Sequence, residues 1–158
     1  MNLDIHELYE AMEHARGTET EELDRTLILR AYNFSKEAHK EQLRASGEPY
    51  FTHVFATAKN CARFGMDATT VAAGLLHDTI EDTATTEDDI LREFGPDILF
   101  LISGVTKLGT LKYQGRERTI ESLRKFFLAV AEDIRVVVIK LADRLHNIQT
   151  LEDRKSVV

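Results

Sequence analysis

The stretch Leu75-Leu76-His77-Asp78-Thr79-Ile80-Glu81-Asp82 decides how the rest of this chain is interpreted. An apolar segment runs directly into four ionisable residues. On a continuous helix, His77 and Asp78 lie about 100° apart, and Glu81 returns to the same face one turn later. Unpaired charges buried at the end of a hydrophobic helix each cost several kcal/mol, and a divalent cation would remove that cost. The stretch indicates either a metal site or the polar, solvent-facing end of a core helix.

The composition is that of one domain with a substantial core. The chain has 158 residues, of which 43% are apolar and 30% charged, and its net charge is -7. A negative molecule of this kind is not attracted as a whole to nucleic acid or to an anionic membrane. We find no signal sequence or apolar run of membrane-spanning length. The single Cys61 excludes an internal disulfide, and its helical neighbours favour a buried thiol. We therefore expect one domain, residues 1–158, in the cytoplasm.

Hydrophobic spacing predicts an all-α fold, because apolar residues recur at helical intervals and no sustained strand alternation is present. Helices are predicted at 3–15, from a capping box at Thr18 and Glu21 to about Leu43, at 50–64, from Asp67 through the opening stretch, from Thr86 to Phe94, from Pro96 through Val105, at about 119–130 and at 133–151. Residues 104–118 are predicted to be the least regular part, and 152–158 a frayed tail.

Two further polar residues follow apolar or turn segments. His53 comes just after the turn Ala45-Ser46-Gly47-Glu48-Pro49, and Asp143 directly follows the hydrophobic run 136–142. Taken alone, His53 is more often a satisfied helix histidine, and Asp143 more often a partner of Arg144 or Lys140. Together with His77-Asp78 they form a His, His-Asp, Asp series along a helical chain. That series resembles the HD-domain metal phosphohydrolases.

A closer resemblance covers about residues 20–151. The chain is similar to the hydrolase domain of the RelA/SpoT family, enzymes of the alarmone (p)ppGpp. The motifs that carry this likeness are Arg44-x-Ser46-Gly47-Glu48-Pro49-Tyr50-x-x-His53, His77-Asp78-x-x-Glu81-Asp82-Thr83, Gly104-Val105-Thr106-Lys107-Leu108, Asp133-Ile134-Arg135-Val136 and Lys140-Leu141-Ala142-Asp143-Arg144-Leu145-His146-Asn147. The resemblance implies an HD-domain helical bundle with a central metal site.

The resemblance also implies a metal ligand set and an acidic catalytic pair. One Mn²⁺ is expected to be held by His53, His77, Asp78 and Asp143. Two imidazoles and two carboxylates without a thiolate suit Mn²⁺, Fe²⁺ or Zn²⁺. Glu81 and Asp82 match the family's acidic pair, which is expected to orient or deprotonate water and assist the leaving oxygen. The alternative for Glu81 is a carboxylate that hydrogen-bonds to a ligand histidine.

The expected substrate contacts also follow from the resemblance. Arg44 matches the family residue that packs on the guanine base, and Ser46 lies in the same turn. The resemblance places Asn147 and Thr150 beside the nucleotide, and Arg144 is expected to pair with a ligand carboxylate or a phosphate. The basic segment 107–118 is either a collector of diphosphates or a solvated loop.

The expected activity is Mn²⁺-dependent hydrolysis of the 3′-diphosphate of ppGpp or pppGpp, giving pyrophosphate and GDP or GTP. Two departures from the family pattern are Ala45, where a Lys is frequent, and Val54, where a Pro is frequent. Ala45 keeps open an HD hydrolase acting on another nucleotide. The chain stops soon after Asn147, which keeps open a regulatory module that binds the alarmone without cleaving it. Self-association is also left open.

Overall fold

The fold is built from α-helices. A computed structural model of the chain describes residues 3–109 and 116–155, with side chains described at 3–109 and 120–151. The helices within these residues are α1 His6–Arg16, α2 Glu22–Ala38, α3 Phe51–Arg63, α4 Ala68–Leu76, α5 Thr79–Asp82, α6 Glu87–Phe94, α7 Pro96–Gly109, α8 Arg116–Glu132 and α9 Ile134–Lys155. The described part contains no strand, only an isolated bridge between Leu43 and Pro49. The all-α prediction is confirmed.

The centre of the core is α4, the apolar run of the opening stretch. Every residue of α4 except Thr69 is buried, as expected for a helix that is apolar on all sides. It packs against α2, α3, α7 and α9. Gly74 allows the close approach of α3, because a Cβ there would lie 3.2 Å from the Ala58 Cα. Cys61 is buried at the same contact, and burial raises the pKa of its thiol to about 12.

Local capping signals predict several helix ends correctly. The Asp67 carboxylate accepts a hydrogen bond from the Thr70 N–H at 2.9 Å and starts α4. Thr86 and Asp89 form a reciprocal capping box at the start of α6. Gly17 ends α1 in the left-handed region at φ 71°. Each of these contacts joins residues close in sequence, which is why the sequence alone predicts them.

The predicted ends of α2 are wrong. The helix begins at Glu22, and Glu21 at the N-cap position makes no side-chain cap, so the predicted Thr18–Glu21 capping box is absent. At the other end α2 stops at Ala38 instead of Leu43. The chain there folds into a turn, in which the Tyr50 N–H donates to the Gln42 carbonyl at 2.8 Å. Gln42 and Tyr50 at the two ends of this turn bond to Asp82 and Asp78, so the turn lies beside the residues that follow α4.

The stretch 75–82 was predicted to lie on one helix, but the structure divides it between two helices. α4 ends at Leu76, and Asp78, at φ -101° and ψ -1°, is the N-cap residue of the short α5. Two side chains take up carbonyls that the end of α4 leaves free: His77 bonds to the Gly74 oxygen and Thr79 to the Leu76 oxygen. The break therefore separates His77 from the Glu81-Asp82 pair, which lies in α5.

Two segments are more helical than predicted. α7 continues to Gly109 and α8 begins at Arg116, so the predicted irregular segment 104–118 is partly helical, with 110–115 outside the described residues. Gly104 serves packing here, since a Cβ would lie 2.8 Å from a Val136 methyl of α9. α9 extends to Lys155, so the predicted frayed tail is helical up to that residue, and 156–158 lie outside the description.

Among the described residues, no helix combines the length and the apolar character needed to cross a bilayer.

Candidate metal centre

Three parts of the fold bring together the four predicted metal ligands. α3 carries His53, the α4–α5 junction carries His77 and Asp78, and α9 carries Asp143. The Nε2 of His53 lies 3.0 Å from the Asp143 Oδ1 and 3.6 Å from the Asp78 Oδ2. The Nε2 of His77 lies 3.1 Å from the same Asp78 oxygen and 3.9 Å from the Asp143 Oδ1. His53, His77 and Asp143 are all buried, and each offers one potential ligand atom. These three atoms lie within 4.8 Å of one another.

The orientation of His77 suits a metal ligand. Its Nδ1 lies 2.7 Å from the Gly74 carbonyl, which can only accept, so Nδ1 carries the proton. The opposite nitrogen, Nε2, is buried and makes no hydrogen bond to any described residue. It lies within ion-pair distance of the Asp78 and Asp143 carboxylates, at 3.1 and 3.9 Å, but is not aligned with either for a hydrogen bond. An unpartnered buried nitrogen surrounded by carboxylate oxygens fits a cation between them.

The electrostatics of the cluster favour a positive charge at its centre. Burial disfavours the charged form of His77, but Asp78 and Asp143 outweigh it and raise the pKa of His77 to about 9. Burial also opposes ionisation of Asp78, yet His77 and the Tyr50 hydroxyl lower the pKa of Asp78 to about 2. The pKa of Asp143 is likewise lowered, against burial, by His53, His77 and Lys140. Two ionised carboxylates in a buried site would bind a cation where a proton otherwise sits.

Asp143 is held on both of its oxygens by neighbours on α9. Lys140, three residues earlier, donates to Oδ2 at 2.9 Å. Asn147, four residues later, donates to Oδ1 at 3.1 Å. From the sequence, an Asp143–Lys140 pair was an alternative to a ligand role for Asp143. The geometry accommodates both, since Lys140 bonds to Oδ2 and Oδ1 faces the histidines. Arg144, the other partner considered, is exposed.

His146 is a neighbour of the cluster that the sequence analysis missed. Its Nδ1 lies 2.8 Å from the Nδ1 of His53, and the two rings lie 5.0 Å apart. Burial, together with the charges of His53 and Arg44, lowers the pKa of His146 to about 4. A neutral ring is therefore expected beside His53. Two sequence signals pointed to it without assigning it a role: its position about one turn after Asp143 on α9 and its place in the motif that ends at Asn147.

Tyr50 is a second neighbour that was missed. Its hydroxyl lies 2.8 Å from the Asp78 Oδ2 and 3.0 Å from the Asp82 Oδ2. Burial, followed by the two carboxylates, raises the pKa of Tyr50 far above its usual value, so the hydroxyl keeps its proton. Tyr50 thus links a predicted metal ligand to one member of the acidic pair. Glu81 and Asp82 are themselves exposed on α5.

The structure brings only two of the predicted substrate residues into contact with each other. Arg44 and Asn147 meet each other, because the Arg44 Nη2 donates to the Asn147 Oδ1 at 3.2 Å. The Arg44 Nη1 is buried and has no partner among the described residues. Thr150 bonds to carbonyls of its own helix. Ser46 and Arg144 are exposed. Of the predicted basic segment, Lys107 lies on α7, whereas the side chains of residues 110–119 lie outside the description.

The chain matches a known protein family and is similar to curated proteins of two bacteria. The family described as HD domain matches residues 31–157. A guanosine-3′,5′-bis(diphosphate) 3′-pyrophosphohydrolase of Aquifex aeolicus is 48% identical over 135 residues, which are 82% of this chain and 19% of that protein. A GTP pyrophosphokinase of Streptomyces coelicolor is 48% identical over 124 residues, or 78% of this chain and 14% of that protein. The chain thus spans less than a fifth of the length of these curated relatives.

A solved structure is also similar. It is described with the words "a metazoan ortholog of SpoT hydrolyzes ppGpp and plays a role in starvation responses". The TM-score is 0.62 at 28% sequence identity, and the likeness covers 80% of this chain and 70% of the other. The resemblance drawn from the sequence motifs is therefore confirmed.

Proposed function

The chain belongs to the HD-domain family, and from this premise we propose that it is a metal-dependent hydrolase of the alarmones ppGpp and pppGpp. It removes the 3′-diphosphate as pyrophosphate and leaves GDP or GTP. The names of the Aquifex relative and of the solved structure support this substrate class. The chain's own motifs around His53, His77 and Asp143 support the same assignment.

The observation that carries the proposal is the buried, unpartnered Nε2 of His77 among ionised carboxylates. We assign His53, His77, Asp78 and Asp143 as the residues that would hold the ion. Mn²⁺ is the proposed metal, with Fe²⁺ and Zn²⁺ as alternatives that the same nitrogen and oxygen donors accept. When bound, such an ion lowers the pKa of a water molecule and offsets negative charge on a phosphate.

The proposed reaction is a simple hydrolysis. The oxygen of water bonds to the phosphorus next to the 3′ oxygen, the bond between that phosphorus and O3′ breaks, and a proton goes to O3′. Glu81 and Asp82 are proposed to take the proton from water and to return one to the leaving oxygen. Their exposure on α5 leaves them accessible to substrate, and the Tyr50 hydroxyl ties Asp82 to Asp78.

Substrate binding is proposed on the side of the cluster formed by the turn 39–50 and α9. The Arg44 guanidinium is planar, which suits stacking on a base. Asn147 links Arg44 to Asp143, so base recognition and the metal centre share a hydrogen-bond chain. Ser46, Thr150 and Arg144 are proposed as further substrate contacts.

The remaining assignments are also proposals. The net charge of -7 argues against nucleic acid and anionic membranes as partners. Composition and the presence of a single cysteine, Cys61, favour the cytoplasm. The assignment of residues 1–158 to a single domain also stays a prediction.

One digestion tests the function. Metal-stripped protein is reloaded with Mn²⁺, Fe²⁺ or Zn²⁺ and incubated with ppGpp, and the products are separated by anion-exchange chromatography. We expect GDP and pyrophosphate in equal amounts with at least one metal, and none with the Asp143→Asn variant. Tight ppGpp binding without products would favour a regulatory module. Faster cleavage of another 3′-phosphorylated nucleotide would favour the other HD hydrolase.

A further inference from the structure

We propose that His146 is a positioning residue for the metal centre, which fixes the protonation of His53 so that its Nε2 is available to the ion. This inference rests on the proposed metal site and concerns a residue outside the ligand set. It starts from the contact of 2.8 Å between the Nδ1 atoms of His53 and His146.

A hydrogen bond between two ring nitrogens has one proton, so one Nδ1 donates and the other accepts. The Nε2 of His53 is the atom that faces Asp143 and Asp78, at 3.0 and 3.6 Å. To bind a cation, this nitrogen must present a lone pair, and a neutral His53 must then carry its proton on Nδ1. In that state the His53 Nδ1–H donates, and the His146 Nδ1 accepts.

The comparison with His77 shows why this partner matters. His77 obtains the same protonation from the Gly74 carbonyl, an atom that can only accept. His53 cannot use its own helix in this way, because the ring beside its Nδ1 is His146 of α9. Partners of this kind fix the orientation of metal-binding histidines, and their loss typically costs about 10–100-fold in metal affinity.

α9 therefore supplies two groups to the centre. Asp143 faces the Nε2 of His53, and His146, three residues later, meets the Nδ1 of the same ring. One group of α9 therefore lies beside each nitrogen of the His53 ring. The role of His146 differs from the substrate roles proposed for Asn147 and Thr150 on the same helix, because it acts through His53.

The test compares His146→Leu with His146→Asn. Leucine removes the acceptor, whereas asparagine keeps a carbonyl oxygen near the place of Nδ1. We expect His146→Leu to weaken Zn²⁺ and Mn²⁺ affinity, measured by competition with a chelator, by about 10–100-fold. His146→Asn is expected to remain within a few-fold of the parent. Gln149→Leu, an exposed position on α9, controls for changes to the helix and should retain the parent affinity.

A spectroscopic measurement is independent of affinity. In the Zn²⁺-loaded parent, ¹⁵N NMR of the imidazole rings should show His53 protonated on Nδ1 and bound through Nε2. A His53 bound through Nδ1, or a folded His146→Leu protein with parent affinity, would overturn the inference. Should His146→Leu fail to fold, the parent spectrum and His146→Asn still decide.

These outcomes separate the two proposals. A parent protein that binds metal but leaves ppGpp intact contradicts the proposed substrate and leaves the role of His146 standing. A parent that binds no metal contradicts both.

Discussion

At the scale of single residues, the Tyr50 hydroxyl lies between two carboxylates near the centre. It has one proton, and two carboxylates lie beside it at 2.8 and 3.0 Å. Without the hydroxyl, the Asp78 and Asp82 carboxylates would lose a shared hydrogen-bond donor. A hydrogen bond to a charged group contributes about 1.5–3 kcal/mol, so its loss should be measurable.

We expect Tyr50→Phe to weaken metal affinity and turnover by about 10–100-fold, because Asp78 loses the donor that orients it. Metal titration and steady-state kinetics measure the two effects. Tyr32→Phe is the matched control, since the Tyr32 hydroxyl bonds to the Leu3 carbonyl and to no residue of the cluster. Parent values for the Tyr50→Phe protein would show that the bridge has no functional role.

The acidic pair gives a second prediction at this scale. Glu81→Gln should slow ppGpp cleavage by at least about 100-fold, the usual scale for losing a general acid or base, while metal content stays unchanged. Asp143→Ala, in contrast, should lose metal and activity together. Turnover at the parent rate by Glu81→Gln, measured at saturating metal, would remove Glu81 from the mechanism.

The sequence predicted the residues whose polarity contradicts their apolar surroundings, such as His77 and Asp143. Tyr50 and His146 lie within the quoted motifs, but the sequence assigned no role to either, because neither residue is unusual for its local surroundings. Their roles depend on which side chains α3, α5 and α9 bring within 3 Å of one another. That proximity is a property of the packing and has no local signature.

At the scale of helices, the contact between α3 and α4 positions two histidines relative to each other. α3 carries His53, and α4 ends just before His77. Gly74 lies at the crossing, and its carbonyl also accepts the proton of the His77 Nδ1. One small residue therefore controls both the spacing of the helices and the orientation of a ligand.

Gly74→Ala should destabilise the fold by about 1–3 kcal/mol, because the added Cβ would lie 3.2 Å from backbone of α3. It should also weaken metal binding, since α3 and α4 must separate. Ile90→Val on α6, expected to cost about 0.5–1.5 kcal/mol, provides a control of similar stability away from the cluster. Urea unfolding and metal titration give the two readouts, and equal metal affinities in both variants would refute this role.

The capping box of α6 gives a pH-dependent prediction. Hydrogen bonds from the Thr86 N–H and hydroxyl, with one from Arg92, lower the pKa of Asp89 to about 2. An unfolded aspartate titrates near 3.9, so ionised Asp89 stabilises the fold above about pH 4. This contribution is lost as the pH falls towards 2.

Accordingly, Asp89→Asn should be less stable than the parent at neutral pH, and the difference should shrink between about pH 4 and 2. Chemical unfolding at a series of pH values measures it. Thr86→Ala removes the other half of the box, the hydrogen bond from the Asp89 N–H to the Thr86 hydroxyl. Because this bond does not titrate, the Thr86→Ala protein should remain less stable than the parent even at low pH. A constant deficit for Asp89→Asn across this range would contradict the assignment.

The sequence predicted the helix ends that depend on local contacts and missed those that depend on packing, as it did for single residues. Asp67 and Thr86 cap their helices through bonds to residues three positions away, and the sequence predicted both. The break at Asp78 and the early end of α2 at Ala38 were not predicted. Both depend on contacts with other parts of the fold, including the turn 39–50.

At the scale of the whole molecule, the cluster joins α3, the α4–α5 junction and α9 around buried polar groups. An ion that binds only the folded state raises its stability by about 2.7 kcal/mol at a free concentration 100 times the dissociation constant. For a chain of this size that corresponds to a rise of about 5–10 °C in Tm.

We therefore expect Mn²⁺ to raise the Tm of stripped protein by about this amount, and a chelator to reverse it. Differential scanning calorimetry measures the shift. The Asp143→Asn variant should show little response. An unchanged Tm for the parent with Mn²⁺, Fe²⁺ and Zn²⁺ alike would argue that no ion is held here.

The distance along the chain between α3 and α9 has a consequence for biosynthesis. Asp143 is made roughly 90 residues after His53, and the Asn60 side chain of α3 reaches a carbonyl of α9 at Ala142. While the ribosome is still translating the middle of the chain, the emerging helices contain at most part of the cluster. The complete set of proposed ligands therefore forms only after α9 has been synthesised and has docked. If the proposed ion is bound, cellular metal supply would act mainly on finished chains, and a product arrested before α9 would lack the Asp143 carboxylate and bind the ion more weakly.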